Sequence, residues 1–247
     1  MQVFGVTIDG GKMSEIVSRM GSQNSCFWIA TVNPEILLEA KENERYRVSL
    51  QSANYKTIDG FGLFLFVRYV LRRTCSRVTG VELSARLMRY ANNKAWRVGF
   101  IGASIPHRGT ASRAAGRVKE QFPNLLIHAE DGGNIDQLGV DDYEGDEARH
   151  RLMLFDPEVL LVAFGHPKQE LWIQRYKQDF PSLKVIVGVG GTFDFWAGNV
   201  KRAPECMRQI GLEWFWRLIQ EPRRVIRIFR AVVIFPFLAF LEFVTTR

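Results

Sequence analysis

Five short strand-like runs, each giving way to a glycine or a small polar side chain, constrain this chain more than any other feature. They are CFWIAT at 26–31, YKTID at 55–59, WRVGFI at 96–101, VLLVAF at 159–164 and KVIVGV at 184–189. Helical patterns lie between them, most clearly over 108–122 and 169–180. Strands alternating with helices predict an α/β domain, Rossmann-like, with a mostly parallel sheet flanked by helices. Residues 132–150 are polar, acidic and glycine-bearing, and predict a surface loop.

The pattern changes near Arg202. Residues 205–247 are rich in aromatics and arginines and carry no strand signal, so we expect a 1–200 α/β domain followed by a 201–247 helical appendage. Glu221-Pro222 marks a fresh helix start, because proline is tolerated in a first turn. At about 100° per residue, Arg223, Arg224, Arg227 and Arg230 share one face, with Val225, Ile228, Phe229 and Val232 opposite.

Charge follows the same division. Of the net +7, residues from Lys201 onward contribute +5, nine basic against four acidic, and the first 200 contribute +2. A local basic excess calls for an anionic partner: nucleic acid, anionic lipid or a diphosphate. The aromatic neighbours Trp214, Phe215 and Trp216 suit a membrane interface. The longest apolar run, 231–241, is interrupted by Pro236 and falls short of the roughly 20 residues a bilayer span needs, so the chain is not expected to cross one. The N-terminus shows no signal-peptide pattern. Cys26, Cys75 and Cys206 have no paired spacing, which argues against a zinc site or disulfide framework.

Ligands of open α/β sheets bind beyond the carboxyl ends of the strands. That rule selects 31–33, 59–60, 102–104, 165–170 and 190–194. Asp59 reads as a general base whose proton affinity rises with partial desolvation, and also as a turn aspartate before glycine; local sequence by itself favours the turn. Thr31 and Asn33 suit donor hydrogen bonds, and capping of a helix explains them as well. Gln169 and Glu170 are expected at a helix start, where free N–H groups favour an anion. Lys168 is placed either on a phosphate or in solvent, and His166 is left without a role. Gly190 and Gly191 permit close backbone approach to a diphosphate or ribose, and Asp194 either binds the nucleotide or caps its turn. No Walker loop, GxGxxG fingerprint or suitably placed aspartate-x-aspartate pair is present, so we expect no metal and no cofactor.

Taken in order, TVNPEI at 31–36, DG at 59–60, RVTGVEL at 77–83, GHPKQE at 165–170, GVGGTFDFWAG at 188–198, KRAP at 201–204 and GLEWFWRLIQEPRR at 211–224 resemble the WecG/TagA/CpsF glycosyltransferases, glycosyltransferase family 26. The resemblance implies an inverting, UDP-sugar-dependent hexosyltransferase that builds a β-linkage onto a polyprenyl-diphosphate-linked sugar at the inner face of the bacterial cytoplasmic membrane. It implies a Rossmann-like domain and an appendage that aids membrane association and completes the active site. By the same resemblance Asp59 matches the proposed base and Thr31 and Asn33 match substrate-pocket positions. Arg77 and Gln169 match further pocket positions, and Arg217, Arg224 and Arg227 match arginines proposed to contact the diphosphates. The chain departs from the pattern over 102–116, over 130–136 and at His166, where a smaller or apolar residue is usual. The donor hexose therefore stays open among N-acetylmannosamine, its uronic acid and glucose. Two other readings of the residues are a nucleic-acid-binding α/β protein using its basic tail and a nucleotide-sugar binder without catalysis.

Overall fold

A computed structural model describes residues 1–21, 25–102 and 108–245. Its centre is a six-stranded, wholly parallel sheet. A small antiparallel hairpin, β1 (Gln2–Val3) with β2 (Val6–Thr7), precedes it. The sheet strands are β3 (Phe27–Val32), β4 (Tyr55–Ile58), β5 (Val98–Ile101), β6 (Ile127–Glu130), β7 (Val159–Val162) and β8 (Val185–Gly188), in the spatial order β4-β3-β8-β7-β5-β6. The α/β expectation holds, and all five expected strands are present.

Central strands buried on both faces read as near-continuous apolar runs, as FWIATV, VLLV and VIVG do here. One apolar layer holds Trp28, Val32, Leu160 and Ile186. The other holds Ile29, Phe100, Leu161 and Val187, with Phe100 stacked on Phe193 at 4.7 Å. Removing this apolar surface from water is what holds the layers together.

The structure adds one strand that the sequence reading did not name and corrects one expected loop. Strand β6 lies at the sheet edge and is only half-buried, so IHAE lacks the apolar signal of its neighbours. The expected loop 132–150 ends in a helix, Tyr143–Phe155, capped by the Asp142 side chain on Gly145 N. Its polarity misled because buried Arg149 is satisfied by Asp141, Asp146 and Asp179 rather than by apolar packing.

The expectation that no stretch reaches spanning length is also revised. Pro222–Thr245 is one helical run of 24 residues containing an 18-residue stretch of mean hydropathy 2.0, long and apolar enough to cross a bilayer by those two measures alone. Pro236 does not stop it. A wide π-helical turn, Arg230–Ile234, ends two residues before the proline, with the Phe235 N–H donating to Arg230 O, and the helix continues through Pro236. The run is fastened along the domain. Arg227 pairs with Glu35, Arg230 with Glu42, and Glu242 accepts the Phe4 N–H. Ile228, Phe235 and Ala239 are buried beneath it. The arginine face thus partly turns inward to an acidic helix, Pro34–Glu42, while Phe229, Phe237 and Val244 face outward.

Candidate active site

The carboxyl ends of four adjacent strands, β4, β3, β8 and β7, border one polar cleft of about 470 Å³. Of the residues expected at the site, Thr31, Asn33, Asp59, Gln169, Gly190, Gly191, Asp194, Arg217, Arg224 and Arg227 all line it. Glu170 and Arg77 do not. Of the 102–104 segment, Ala103 and Ser104 lie outside the described residues.

Asp59 follows β4 directly. Its N–H donates to Val32 O at 2.8 Å, and its Oδ2 accepts the Gly80 N–H at 2.9 Å. Gly80 opens the 15-residue helix Gly80–Lys94, whose start is fixed by a reciprocal cap between Thr79 and Glu82. Burial pushes the Asp59 carboxyl up to about 6, against the Gly80 N–H; the Glu213 carboxylate raises it further and the Arg77 guanidinium opposes. A carboxylate so placed is a stronger base than an ordinary one and is still ionised at neutral pH.

Thr31 is buried, and its hydroxyl donates to Gly188 O at 2.9 Å, tying β3 to β8 at the cleft floor. Asn33 caps the helix Pro34–Glu42 by accepting from Ile36 N, which leaves its amide hydrogens for a ligand. Both the capping and the cleft position foreseen for it are present. Gln169 Oε1 accepts the Gly190 N–H at 3.1 Å, and its Nε2 donates to Glu170 Oε1 at 2.6 Å. Glu170 is fully buried behind this wall, where its other oxygen accepts from Tyr46 Oη at 3.0 Å. Burial raises its carboxyl to about 7. The expected anion contact at Glu170 is therefore replaced by support of Gln169. Lys168 lines the same cleft and donates to Ile135 O.

Gly191 has a specific steric duty. A Cβ there would stand 2.6 Å from Arg217 Nη2, so only glycine lets the guanidinium come this close to the turn. Gly190 adopts φ +51°, a left-handed conformation that favours glycine. Asp194 Oδ1 accepts from Asn199 Nδ2 at 3.1 Å. Arg217 lies over the Phe195 ring at 5.1 Å, and burial followed by the Arg224 charge lowers its proton affinity. Arg224 donates to Glu221, and Arg227 is held by Glu35 at 2.6 Å. Arg217 thus stands against the glycine turn at the strand ends while Arg224 and Arg227 line the same cleft, guanidinium groups suited to phosphate oxygens.

Arg77 lies in an adjoining apolar groove, with Nη2 on Arg208 O and its guanidinium over Phe61. Glu35, Glu213 and Arg202 also line the cleft, and sequence reasoning gave none of them a role; His166, weighed and left without one, lines it too. Burial, reinforced by Arg227, lowers His166 to about 4, so its imidazole is neutral. Arg202 joins Glu82 to Glu213 at 3.6 and 3.5 Å, linking the helix Glu213–Gln220 to the helix whose Gly80 N–H holds Asp59. The signal for Glu213 was present in GLEWFWRLIQEPRR, where the flanking aromatics and arginines drew the attention.

A family model for the glycosyl transferase WecG/TagA/CpsF family matches residues 1–247, the whole chain. The chain belongs to this family. It is 36% identical over 203 residues to an N-acetylglucosaminyldiphosphoundecaprenol N-acetyl-beta-D-mannosaminyltransferase of Bacillus spizizenii, covering 82% of this chain and 74% of that protein. A protein of the same name from Bacillus subtilis is 33% identical, with 79% and 72% covered. One from Staphylococcus aureus is 30% identical over 234 residues, with 92% and 87% covered. The chain is thus a glycosyl transferase of the WecG/TagA/CpsF family on an α/β fold, as the sequence motifs indicated.

Proposed function

We propose that this glycosyl transferase moves a hexose from a UDP-sugar to a sugar carried on a polyprenyl diphosphate, with inversion, and that N-acetylmannosamine is the donor hexose. The relatives' names, each an N-acetyl-beta-D-mannosaminyltransferase, support this choice of donor. The observation that carries the reaction is the convergence of a raised-affinity carboxylate, Asp59, with Arg217 and the Gly190-Gly191 turn on one cleft. Asp59 Oδ2 is occupied by Gly80, leaving Oδ1 to take the proton from the acceptor hydroxyl. That oxygen attacks the anomeric carbon as the bond to UDP breaks, and the departing electron pair stays on the β-phosphate. Arg217 and Arg227 meet the growing negative charge without rearranging, which is where preorganised electrostatics is most effective. Thr31 and Asn33 hold the reacting sugars in place.

The basic residues tied to carboxylates and the outward apolar face support a lipid partner rather than nucleic acid. In this reading residues 201–247 form the appendage, and the protein works peripherally on the inner face of the cytoplasmic membrane. The test is UDP release from UDP-N-acetylmannosamine, its uronic acid and UDP-glucose, each with a short-chain lipid-diphosphate N-acetylglucosamine. Turnover is expected with the first. Absence of turnover with all three, despite UDP binding, leaves a nucleotide-sugar binder and overturns the proposal.

A further inference from the structure

Beside the polar cleft lies a second cavity of about 750 Å³ with a different chemistry. One wall is the helix Phe61–Leu65 and the π-helical turn Phe66–Val70 that continues it, contributing Phe61, Leu65, Phe66 and Tyr69. The other wall is the C-terminal helical run, contributing Ile228, Val232, Pro236 and Phe240. Phe66 meets Phe235 edge-on at 6.1 Å, which fixes the two walls side by side. Gly211, at φ +80°, closes the groove against Phe61, where a Cβ would stand only 2.1 Å from the ring.

The two cavities are continuous. Asn33, Asp59, Glu213, Arg217 and Arg224 line both, so the groove begins where the carboxylate and two of the arginines stand. Its outer lining is open, with Tyr69 at 70% and Phe240 at 53% exposure. Arg68, Arg72 and Arg73, all exposed, follow the same wall. An apolar groove this large left open to water is unfavourable and marks a ligand or interaction site.

Chemistry limits the occupant. If the acceptor hydroxyl reaches Asp59 while Arg217 holds the UDP, the acceptor's own diphosphate falls to Arg224, which lines both cavities, and the lipid attached to that diphosphate must leave from there. The apolar surface adjoining Arg224 is this groove. Aromatic and branched side chains along both walls suit a methyl-branched chain, and the exposed arginines beyond suit the phosphate headgroups of the bilayer to which that chain returns. We propose that the groove holds the isoprenoid segment nearest the acceptor diphosphate, so that this enzyme recognises its acceptor by lipid as well as by sugar. This rests on the acceptor class given above.

The experiment compares one diphosphate-linked N-acetylglucosamine carried on three tails: a methyl group, a farnesyl chain and a straight saturated chain of equal carbon number, in one fixed detergent. The farnesyl acceptor is expected to show a KM lower than the methyl acceptor by roughly tenfold or more, since buried hydrocarbon contributes to binding, and lower than the straight chain. Ala231→Trp, on the groove wall, should shrink that ratio to within about twofold, and Val232→Trp should act in the same direction. Thermal unfolding checks that each variant is folded. Equal KM values for all three tails, or an undiminished ratio in both folded variants, overturns the proposal. Titration with farnesyl diphosphate alone separates the two levels of the argument. Saturable binding weakened by Ala231→Trp supports the groove even if no acceptor is turned over, an outcome that counts against the transferase reading only. No binding, with a self-association that Ala231→Trp abolishes, assigns the groove to a second copy of the chain and overturns the proposal.

Discussion

Arg217 Nη2 occupies the space where a side chain at Gly191 would begin, 2.6 Å from the position of that missing Cβ. The relationship joins the C-terminal segment to the strand-end turn through a single glycine. Gly191→Ala has an ordinary backbone to adopt, at φ −75°, so its Tm should hardly change. The methyl group must instead push the guanidinium out of its place. Losing a charged hydrogen bond to a phosphate costs about 1.5–3 kcal/mol, so UDP affinity should fall roughly tenfold or more by calorimetry. Unchanged affinity would mean that Arg217 does not hold the nucleotide.

Asp59 predicts the acidic side of the pH profile. Its carboxyl titrates at about 6, so kcat/KM should rise as pH passes that value and the base becomes ionised. Glu213 disfavours the charged form and thereby raises the midpoint. Glu213→Gln removes that charge and frees Arg202 from one partner, and both changes move the midpoint to lower pH. A midpoint that stays put or moves up in this variant contradicts the assignment.

Much of this site was legible in sequence because parallel strands announce themselves. Both faces are covered, so FWIATV, VLLV and VIVG are apolar throughout, and the polar residues after them mark the ligand edge. What was not legible depended on neighbours distant in the chain. Nothing local shows that Glu170 turns inward to Tyr46, 124 positions away, or that Arg77 points to the carbonyl of Arg208. The helix Tyr143–Phe155 was hidden because ion pairs, not an apolar stripe, satisfy its inner face. Pro236 read as a stop because the wide turn before it leaves no sequence mark.

Glu170 makes a stability prediction. Its carboxyl is raised to about 7 in the fold from an ordinary value of 4.5, so the folded state binds the extra proton between those values. Its contribution is therefore complete below about 4.5 and is lost as pH rises through 7. Glu170→Gln stays neutral at every pH and keeps partners for Gln169 and Tyr46. It should remove a pH-dependent loss on the order of 3 kcal/mol, so the variant's Tm should fall less than that of the unmodified protein from pH 5 to 8. Parallel Tm curves for the two proteins would show that Glu170 does not titrate in this range.

The outward face of Pro222–Thr245 predicts membrane binding. Phe229 and Phe237 are more than half exposed on a run whose Arg227 and Arg230 already have partners on the domain. Replacing both with Asp should cut co-sedimentation with anionic vesicles several-fold, because each removes buried aromatic area at the interface. Binding to vesicles at the unmodified level would place the membrane contact elsewhere.

The central claim is that Asp59 takes the acceptor's proton, and single-turnover transfer by Asp59→Asn tests it most directly. Asparagine retains the size and the acceptor for Gly80 N–H but is not a base at any working pH. The account predicts chemistry slowed by roughly 10²-fold or more, the usual contribution of a general base, with UDP-sugar affinity within a few-fold of the unmodified protein. A near-normal rate of transfer in that variant would contradict it.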